Sequence, residues 1–411
     1  MPELLRPLAN PVYRRLFSAQ VVALVGTGIS TVALALLAYE LAGDDAGSVL
    51  GIALALKMVA YVTVSPIVAA WARDFPRRRL LVSLDVARAG LVLLIPFVDS
   101  IWQIYVLVFL INACSAGFTP TFQAVIPDVL PDTERYTEAL SLSRLAYDLE
   151  GLLSPALAAA LLGLISYSGL FALNGVAFLV SASLVLLTAV PQPTRRDPVP
   201  GHAAEGQRRV RRTLSDLTSG IRAYLATPRL RGLLALNFAA AAASAMVIVN
   251  TVIFVRDSFG LGDTSVAWGL AAAGAGSMVV ALLMPRLLRR RSDRTVMLVG
   301  GTLLVAGLAA TSLVGAFAGL LACWLLLGVG LSLVQTPAGR LIARSGDPED
   351  RPALFAAQFS LSHACWLVTY PLAGIAGAAL GLSSIALILA SLAALATAGA
   401  VRFWPAPSPE H

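Results

Sequence analysis

PIVAAWARDFPRRRLL, residues Pro66 to Leu81, packs Arg73, Asp74, Arg77, Arg78 and Arg79 into seven positions between two long apolar runs. A charge knot between membrane-length segments reads as a tight cytoplasmic turn, because short loops rich in arginine resist translocation. The runs on either side set the architecture. A bilayer core of about 30 Å needs about 20 apolar residues per helix. Backbone groups in lipid must be satisfied within the segment, which selects helices over open strands. Runs of that length lie near 15–42, 47–72, 79–98, 101–126, 137–166 and 169–190, and again near 229–256, 263–288, 294–315, 318–344, 351–379 and 382–404. The expected fold is an all-α membrane protein of twelve transmembrane helices.

Composition agrees with burial in lipid. The chain is 58% hydrophobic and 13% charged, with mean hydropathy +0.80, where a soluble domain carries roughly a quarter charged residues. The formal net charge of +7 comes from 30 basic against 23 acidic residues. These basic residues fall between apolar runs and form no single patch, so nucleic acid is not an expected partner. Cys114, Cys323 and Cys365 each lie inside an apolar run, giving no disulfide framework. Arg6, Arg14 and Arg15 precede an apolar run too long for a signal peptide, and no small-residue cleavage site follows. The first segment is expected to remain as a membrane anchor.

Lys57, Arg88 and Arg144 fall inside runs and Arg256 at an outer end. The other basic residues lie at the termini or in loops joining even to odd runs, while the opposite loops carry Asp44, Asp45, Asp99 and Asp263. Both termini are therefore expected in the cytoplasm of a cell carrying this protein in its inner or plasma membrane. The polar stretch from Pro191 to Pro228 divides the chain into an amino-terminal bundle over 1–190, a linker over 191–228 and a carboxyl-terminal bundle over 229–411. Within the linker, LSDLTSGIRAYLAT after Arg212 has the pattern of an amphipathic surface helix, and 191–212 that of a solvated tether. A shift of 216 or 217 residues superposes the halves. Pro11, Arg14 and Leu16 meet Pro228, Arg231 and Leu233; Arg78 meets Arg294; Thr119-Pro120 meets Thr336-Pro337; Arg135 meets Arg351; Pro155 meets Pro371. Two six-helix bundles repeated in the same orientation are expected.

The loop resembles that between the second and third helices of the major facilitator superfamily, G-x-x-x-D-R-x-G-R-R, on which this chain reads Ala69, Arg73, Asp74, Pro76, Arg77, Arg78. Both glycines are replaced, and the Asp-Arg order is transposed. NPVYRRLFSAQVVALVGTGIS, IPDVLPDTERYTEALSLSR and LLSPALAAALL resemble the exporter branch that includes enterobactin and macrolide efflux proteins. The G-P kink of antiporter members reads Ser154-Pro155 here, with Ala158 and Ala159 where glycines are usual. The resemblance implies a monomeric secondary transporter with no cofactor, its partners a small-molecule substrate, protons and lipid. It implies proton-driven export of a lipophilic or amphipathic compound, drug-like or siderophore-like. Arg73, Asp74, Arg77 and Arg78 would form a conformational latch, joined by Asp85 and Arg88, an i,i+3 pair placed to close the cytoplasmic end. In the family, spans one, four, seven and ten line the cavity, which would place Gln20, Asn112, Gln123, Asn237, Asn250 and Gln335 there; cross-helix hydrogen bonding accounts for each of them equally.

An ionisable residue within a span costs roughly 2.5–3.5 kcal/mol on insertion scales, so each needs a reason. Lys57, the chain's one lysine, falls near the middle of span two and Glu150 near the middle of span five. Neither has a neutralising partner at helical spacing. They are the first candidates for proton coupling, Glu150 as carrier and Lys57 as counter-charge. Asp148 has Arg144 at i−4, a spacing that suits a structural pair and a functional one equally, and His363 is either a satisfied core donor or a proton carrier. No G-x-x-x-x-G-K-[ST] occurs, so energy is expected from a gradient. The chain also lacks H-E-x-x-H and any Cys/His cluster. An alternative within transport is export of nickel or cobalt with Asp148 and Glu150 as ligands. A receptor or intramembrane enzyme on the same scaffold is the alternative from another class.

Overall fold

A computed structural model of the chain describes residues 3–42, 46–72, 75–191 and 218–404. A 3-10 turn, Glu3–Ala9, leads into six long helices: α1 Pro11–Ala42, α2 Ala46–Ala72, α3 Arg77–Leu94, α4 Ile101–Val129, α5 Thr133–Leu162 and α6 Tyr167–Leu186. Six more follow: α7 Pro228–Ile253, α8 Asp263–Arg290, α9 Asp293–Thr311, α10 Phe317–Gln335, α11 Arg351–Pro371 and α12 Leu382–Phe403. Among the described residues eleven helices are long and apolar enough to cross a membrane, and α5 makes twelve once its parts Thr133–Gly151 and Ala156–Leu162, bent by 46°, are joined. The bend spans 152–155 and so includes Pro155, where a proline removes a backbone donor. In the first four helices of each set, equivalent starts stand 216 or 217 residues apart, as with Ile101 and Phe317. The expected repeat is thus repeated in the helices themselves.

Local chemistry marks the helix starts. The Asp132 carboxylate accepts from the amides of Glu134 and Arg135 at α5, and Ser292 accepts from the Thr295 amide at α9. Pro228 opens α7 at a position where no amide is needed. Interiors are held by small residues, because lipid offers no hydrophobic drive for one helix to seek another. Ala239 through Ala243 on α7 are wholly buried. Helices α8 and α10 touch backbone to backbone: a Cβ on Gly276 would stand 2.1 Å from the Leu325 carbonyl, and one on Gly328 1.9 Å from that of Ala273.

Helices α1–α6 pack chiefly on one another, as do α7–α12; α2 with α11, α4 with α11 and α5 with α8 join the two sets. Ser65 donates to the Ala356 carbonyl at 3.3 Å and Ser360 to that of Val62 at 2.6 Å, clamping α2 to α11. The other polar ties across the sets gather at mid-depth and at the end bearing the arginine-rich loops, called the basic end below. Residues 218–226 form a short helix there whose Tyr224 hydroxyl donates to Gln358 on α11. Tyr224 is wholly buried, so this part of the linker packs on protein rather than lying free on a membrane surface. Residues 214–217 and the tether over 192–213 lie outside the described residues.

Candidate substrate and proton site

Lys57 and Tyr61 are one turn apart and share a face of α2. That face meets α11. The Tyr61 ring lies 4.9 Å from Phe359 and 4.6 Å from His363, and the His363 ring lies 4.2 Å from Phe359 and 4.8 Å from Trp366. His363 Nδ1 donates to the Phe359 carbonyl at 2.7 Å, which leaves Nε2 as the acceptor nitrogen of the neutral ring. Lys57 Nζ stands 5.7 Å from the centre of the Tyr61 ring. Among the described residues it forms no ion pair and no hydrogen bond. The same holds for the Glu150 carboxylate, which lies against α1 where Gly28 leaves room: a Cβ there would meet Glu150 Oε1 at 2.7 Å and Ser154 Oγ at 2.1 Å. Lys57 is close enough to both Glu150 and His363 for its charge to act on them. Three candidates on three helices therefore share one neighbourhood.

Asp148 faces elsewhere. Arg144 holds it at 3.1 Å and donates to Ser277 on α8 at 2.8 Å and to Gln335 on α10. This cluster ties the two sets at mid-depth. Gln20 accepts from Ser143 Oγ at 3.2 Å, joining α1 to α5. Asn112 donates to the Val108 carbonyl of its own helix, and Gln123 is half-buried. Two of the amides expected on cavity helices are buried. Asn237 is 7% exposed and Asn250 not at all, and Asn250 donates to the Ala373 carbonyl at 3.4 Å. Asn250 binds α7 to the end of α11, and Asn237 Nδ2 has no acceptor among the described residues.

The basic end is closed by charge. Asp128, at the end of α4, accepts from Arg77 at 2.6 Å and from Arg351 at 2.5 Å. Arg77 starts α3 and Arg351 starts α11, so one carboxylate spans the two sets. Arg340 and Arg344, on the helical extension after α10, contact Asp293 at 3.3 and 3.4 Å. They reach Thr137 and Thr133 on α5. Of the expected latch, Arg77 takes part, Arg78 is exposed, and Arg73 and Asp74 lie outside the described residues. Asp85 and Arg88, also expected in the latch, make other contacts. They pair with each other; Asp85 accepts from Ser181 on α6 at 2.7 Å, and the Arg88 guanidinium is sandwiched between Phe118 at 4.2 Å and Phe178 at 4.4 Å. These contacts stay among α3, α4 and α6, and hold α3 in its own set.

Asp128, Arg351, Arg340, Arg344 and Ser277 were not picked out from sequence as site residues. A signal was present. Arg77 and Asp293 stand one repeat of 216 residues apart, and so do Asp128 and Arg344, so each half pairs the same two positions with the signs exchanged.

Paired six-helix sets, joined at mid-depth by polar side chains and closed at one end by ion pairs, define a secondary-transporter architecture. The chain belongs to the Major Facilitator Superfamily, whose family model matches residues 16–247 and 233–411. This is a family of transporters, not enzymes. A curated relative, the uncharacterized MFS-type transporter YfiS of Bacillus subtilis (strain 168), is 25% identical over 308 residues, 72% of this chain and 70% of its own. The fold is also that of the human organic anion transporter MFSD10 (TETRAN), with TM-score 0.79 and 15% identity over 95% of this chain and 98% of that one. The E. coli fucose:proton symporter FucP aligns with TM-score 0.73 and 13% identity over 96% and 98%. A bacterial homologue of the iron transporter ferroportin, in an outward-facing state, aligns with TM-score 0.75 and 14% identity over 95% and 99%.

Proposed function

We propose that the protein is a proton-coupled secondary transporter of a small amphipathic compound, working by alternating access between bundles over 1–190 and 229–411. The observation that carries this reading is the placing of Lys57 beside an aromatic shelf and of Glu150 against Gly28, each near mid-helix and each without an ion pair among the described residues. Opposite charges in a low-dielectric span are held there only if water, a proton or a ligand completes them. Glu150 is the proton carrier and Lys57 its counter-charge; the bend after Glu150 lets its surroundings change as the bundles rock. By the positive-inside rule the basic end and both termini face the cytoplasm of the inner or plasma membrane. Export is the direction implied by the exporter-like stretches. The sign of coupling depends on which charge the compound engages: one that takes Glu150 is exchanged for protons, and one that takes Lys57 travels with them.

The metal-cation reading has less support. Asp148 is held by Arg144, and among the described residues no group of three His, Cys, Asp or Glu side chains stands close enough to hold an ion. The test is flux in proteoliposomes under an imposed pH gradient, screened over aromatic acids, amphipathic cations and Ni²⁺ or Co²⁺. Glu150→Gln is expected to remove pH-driven accumulation, by about tenfold or more, while downhill exchange of the same compound persists. Unchanged accumulation in that variant at several external pH values would show that Glu150 is not the carrier.

A further inference from the structure

We propose that the compound is a small aromatic anion, one carboxylate or sulfonate on a ring system, with its charge on Lys57 and its ring on the shelf of Tyr61, Phe359 and Trp366. This rests on the transport reading above and names the substrate class of the same site. Lys57 is the chain's one lysine, half-buried at mid-depth, and its recorded contact is a ring face rather than a carboxylate. A cation so placed binds an anion more strongly than it would in water, because little solvent competes. The shelf supplies flat apolar area: four rings, counting His363, lie edge or tilted to one another at 4.2 to 4.9 Å, the geometry in which aromatic groups attract. Trp366 adds a donor, since its buried indole N–H has no acceptor among the described residues. A cationic ligand fares worse. It would meet Lys57 itself, and Asp148 is already held by Arg144.

The same geometry sets the coupling. The titratable groups that act on Glu150 are Lys57 on α2 and Tyr147 on α5 itself, while α1 meets it with Gly28; His363 and Tyr370 on α11 face Lys57, and Tyr61 lies beside it on α2. When ionised, Glu150 competes with the ligand for Lys57. Protonation removes the competitor, so anion and proton bind together and cross in the same direction, opposite in sign to the exchange implied by the exporter-like stretches.

The single lysine gives a direct test. The purified full-length protein in detergent is acylated with an N-hydroxysuccinimide ester, and modification at Lys57 is followed by mass spectrometry, with a lysine-containing peptide in the same tube as reference. The probe is 2-naphthoate; the controls are 2-naphthylmethylammonium and acetate. At ten times its dissociation constant 2-naphthoate is expected to slow acylation of Lys57 about tenfold, as occupancy requires. Neither control should slow it, and protection should strengthen as pH falls toward 5.5. Absence of protection by 2-naphthoate, or equal protection by the ammonium compound, overturns the proposal. In case Lys57→Gln alone fails to fold, the neutral pair Lys57→Gln with Glu150→Gln is assayed for thermal stabilisation by 2-naphthoate. Stabilisation lost there and kept in Lys57→Arg supports the assignment, and stabilisation kept in the double variant overturns it. A failed protection assay, with Glu150→Gln still abolishing pH-driven flux of another compound, removes the anion assignment and leaves the transport reading standing.

Discussion

At the scale of single residues, Gly28 is where the site depends most on an absent atom. Its missing Cβ lets the Glu150 carboxylate and the Ser154 hydroxyl rest against the α1 backbone, next to the α5 bend. Gly28→Ala would put a methyl 2.7 Å from Glu150 Oε1 and 2.1 Å from Ser154 Oγ, so either α1 and α5 part or the carboxylate turns away. Overpacking of this kind costs about 1–3 kcal/mol. A lowered melting temperature in detergent is expected, with pH-driven flux falling more steeply than the amount of folded protein. Flux per folded molecule equal to that of the parent would show that Glu150 does not depend on this contact. Arg88 illustrates the opposite role. Two rings, a serine and an aspartate surround its guanidinium, contacts that tie α3 to α4 and α6.

At the scale of elements, Asp128 is the joint between α3, α4 and α11. Loss of its charge leaves Arg77 and Arg351 facing each other at a site only 14% exposed on the acid's side. Breaking a buried pair by removing one partner costs about 3–5 kcal/mol, reduced here because Arg351 is 20% exposed. Asp128→Asn is expected to open the basic end. The readout is maleimide labelling of Ser65→Cys in a cysteine-free background, since Ser65 is wholly buried at the α2–α11 clamp. Labelling should rise several-fold, and labelling that does not change would mean the pair does not hold the end shut. The exchanged signs of the repeat explain why there is one such joint. Arg351 finds Asp128, but its repeat partner Arg135 would face Arg344, and Arg135 is instead exposed. Spans, helix starts and the repeat were legible because each depends on residues near one another in sequence: apolar run length, a cap such as Asp132, a proline such as Pro228. The joint was not, because Asp128 and Arg351 are 223 positions apart and nothing local marks which acid meets which arginine. The candidate site was half legible. Lys57 and Glu150 stand out as charges in apolar runs, whereas the shelf that joins Tyr61 to His363 and Trp366 depends on α2 meeting α11. The roles of Asn237 and Asn250 stayed open for the same reason, since polarity alone does not say whether an amide faces space or a neighbouring carbonyl.

At the scale of the whole molecule, the amino-terminal turn Glu3–Ala9 is a strap across the closed end. Leu4 and Leu8 pack on the core around Tyr13 and Leu16, and Arg6 lies 3.9 Å from the buried Glu138 of α5, which anchors the strap to the first six helices. Glu3 then reaches the other set, with Arg289 at 3.1 Å and Arg286 at 3.7 Å, both on α8. The Arg289 hydrogen bond and charge, helped by Arg286 and Arg6, hold the Glu3 carboxyl below its ordinary value. A lowered folded value means the attraction is present above the unfolded value and is lost only as pH falls through the folded one. Across roughly pH 5.5 to 8, above the usual carboxylate range, the Glu3 contacts should therefore hold constantly, and a pH dependence of transport in that window should not originate in them. Salt is the variable it should respond to, because exposed charges are screened over a Debye length of about 8 Å at physiological ionic strength. Glu3→Gln is expected to raise labelling of Ser65→Cys at low salt, to match the parent at high salt, and to leave the pH profile of flux where it was. A shifted pH profile in Glu3→Gln would place part of the proton response at the strap and take it from Glu150.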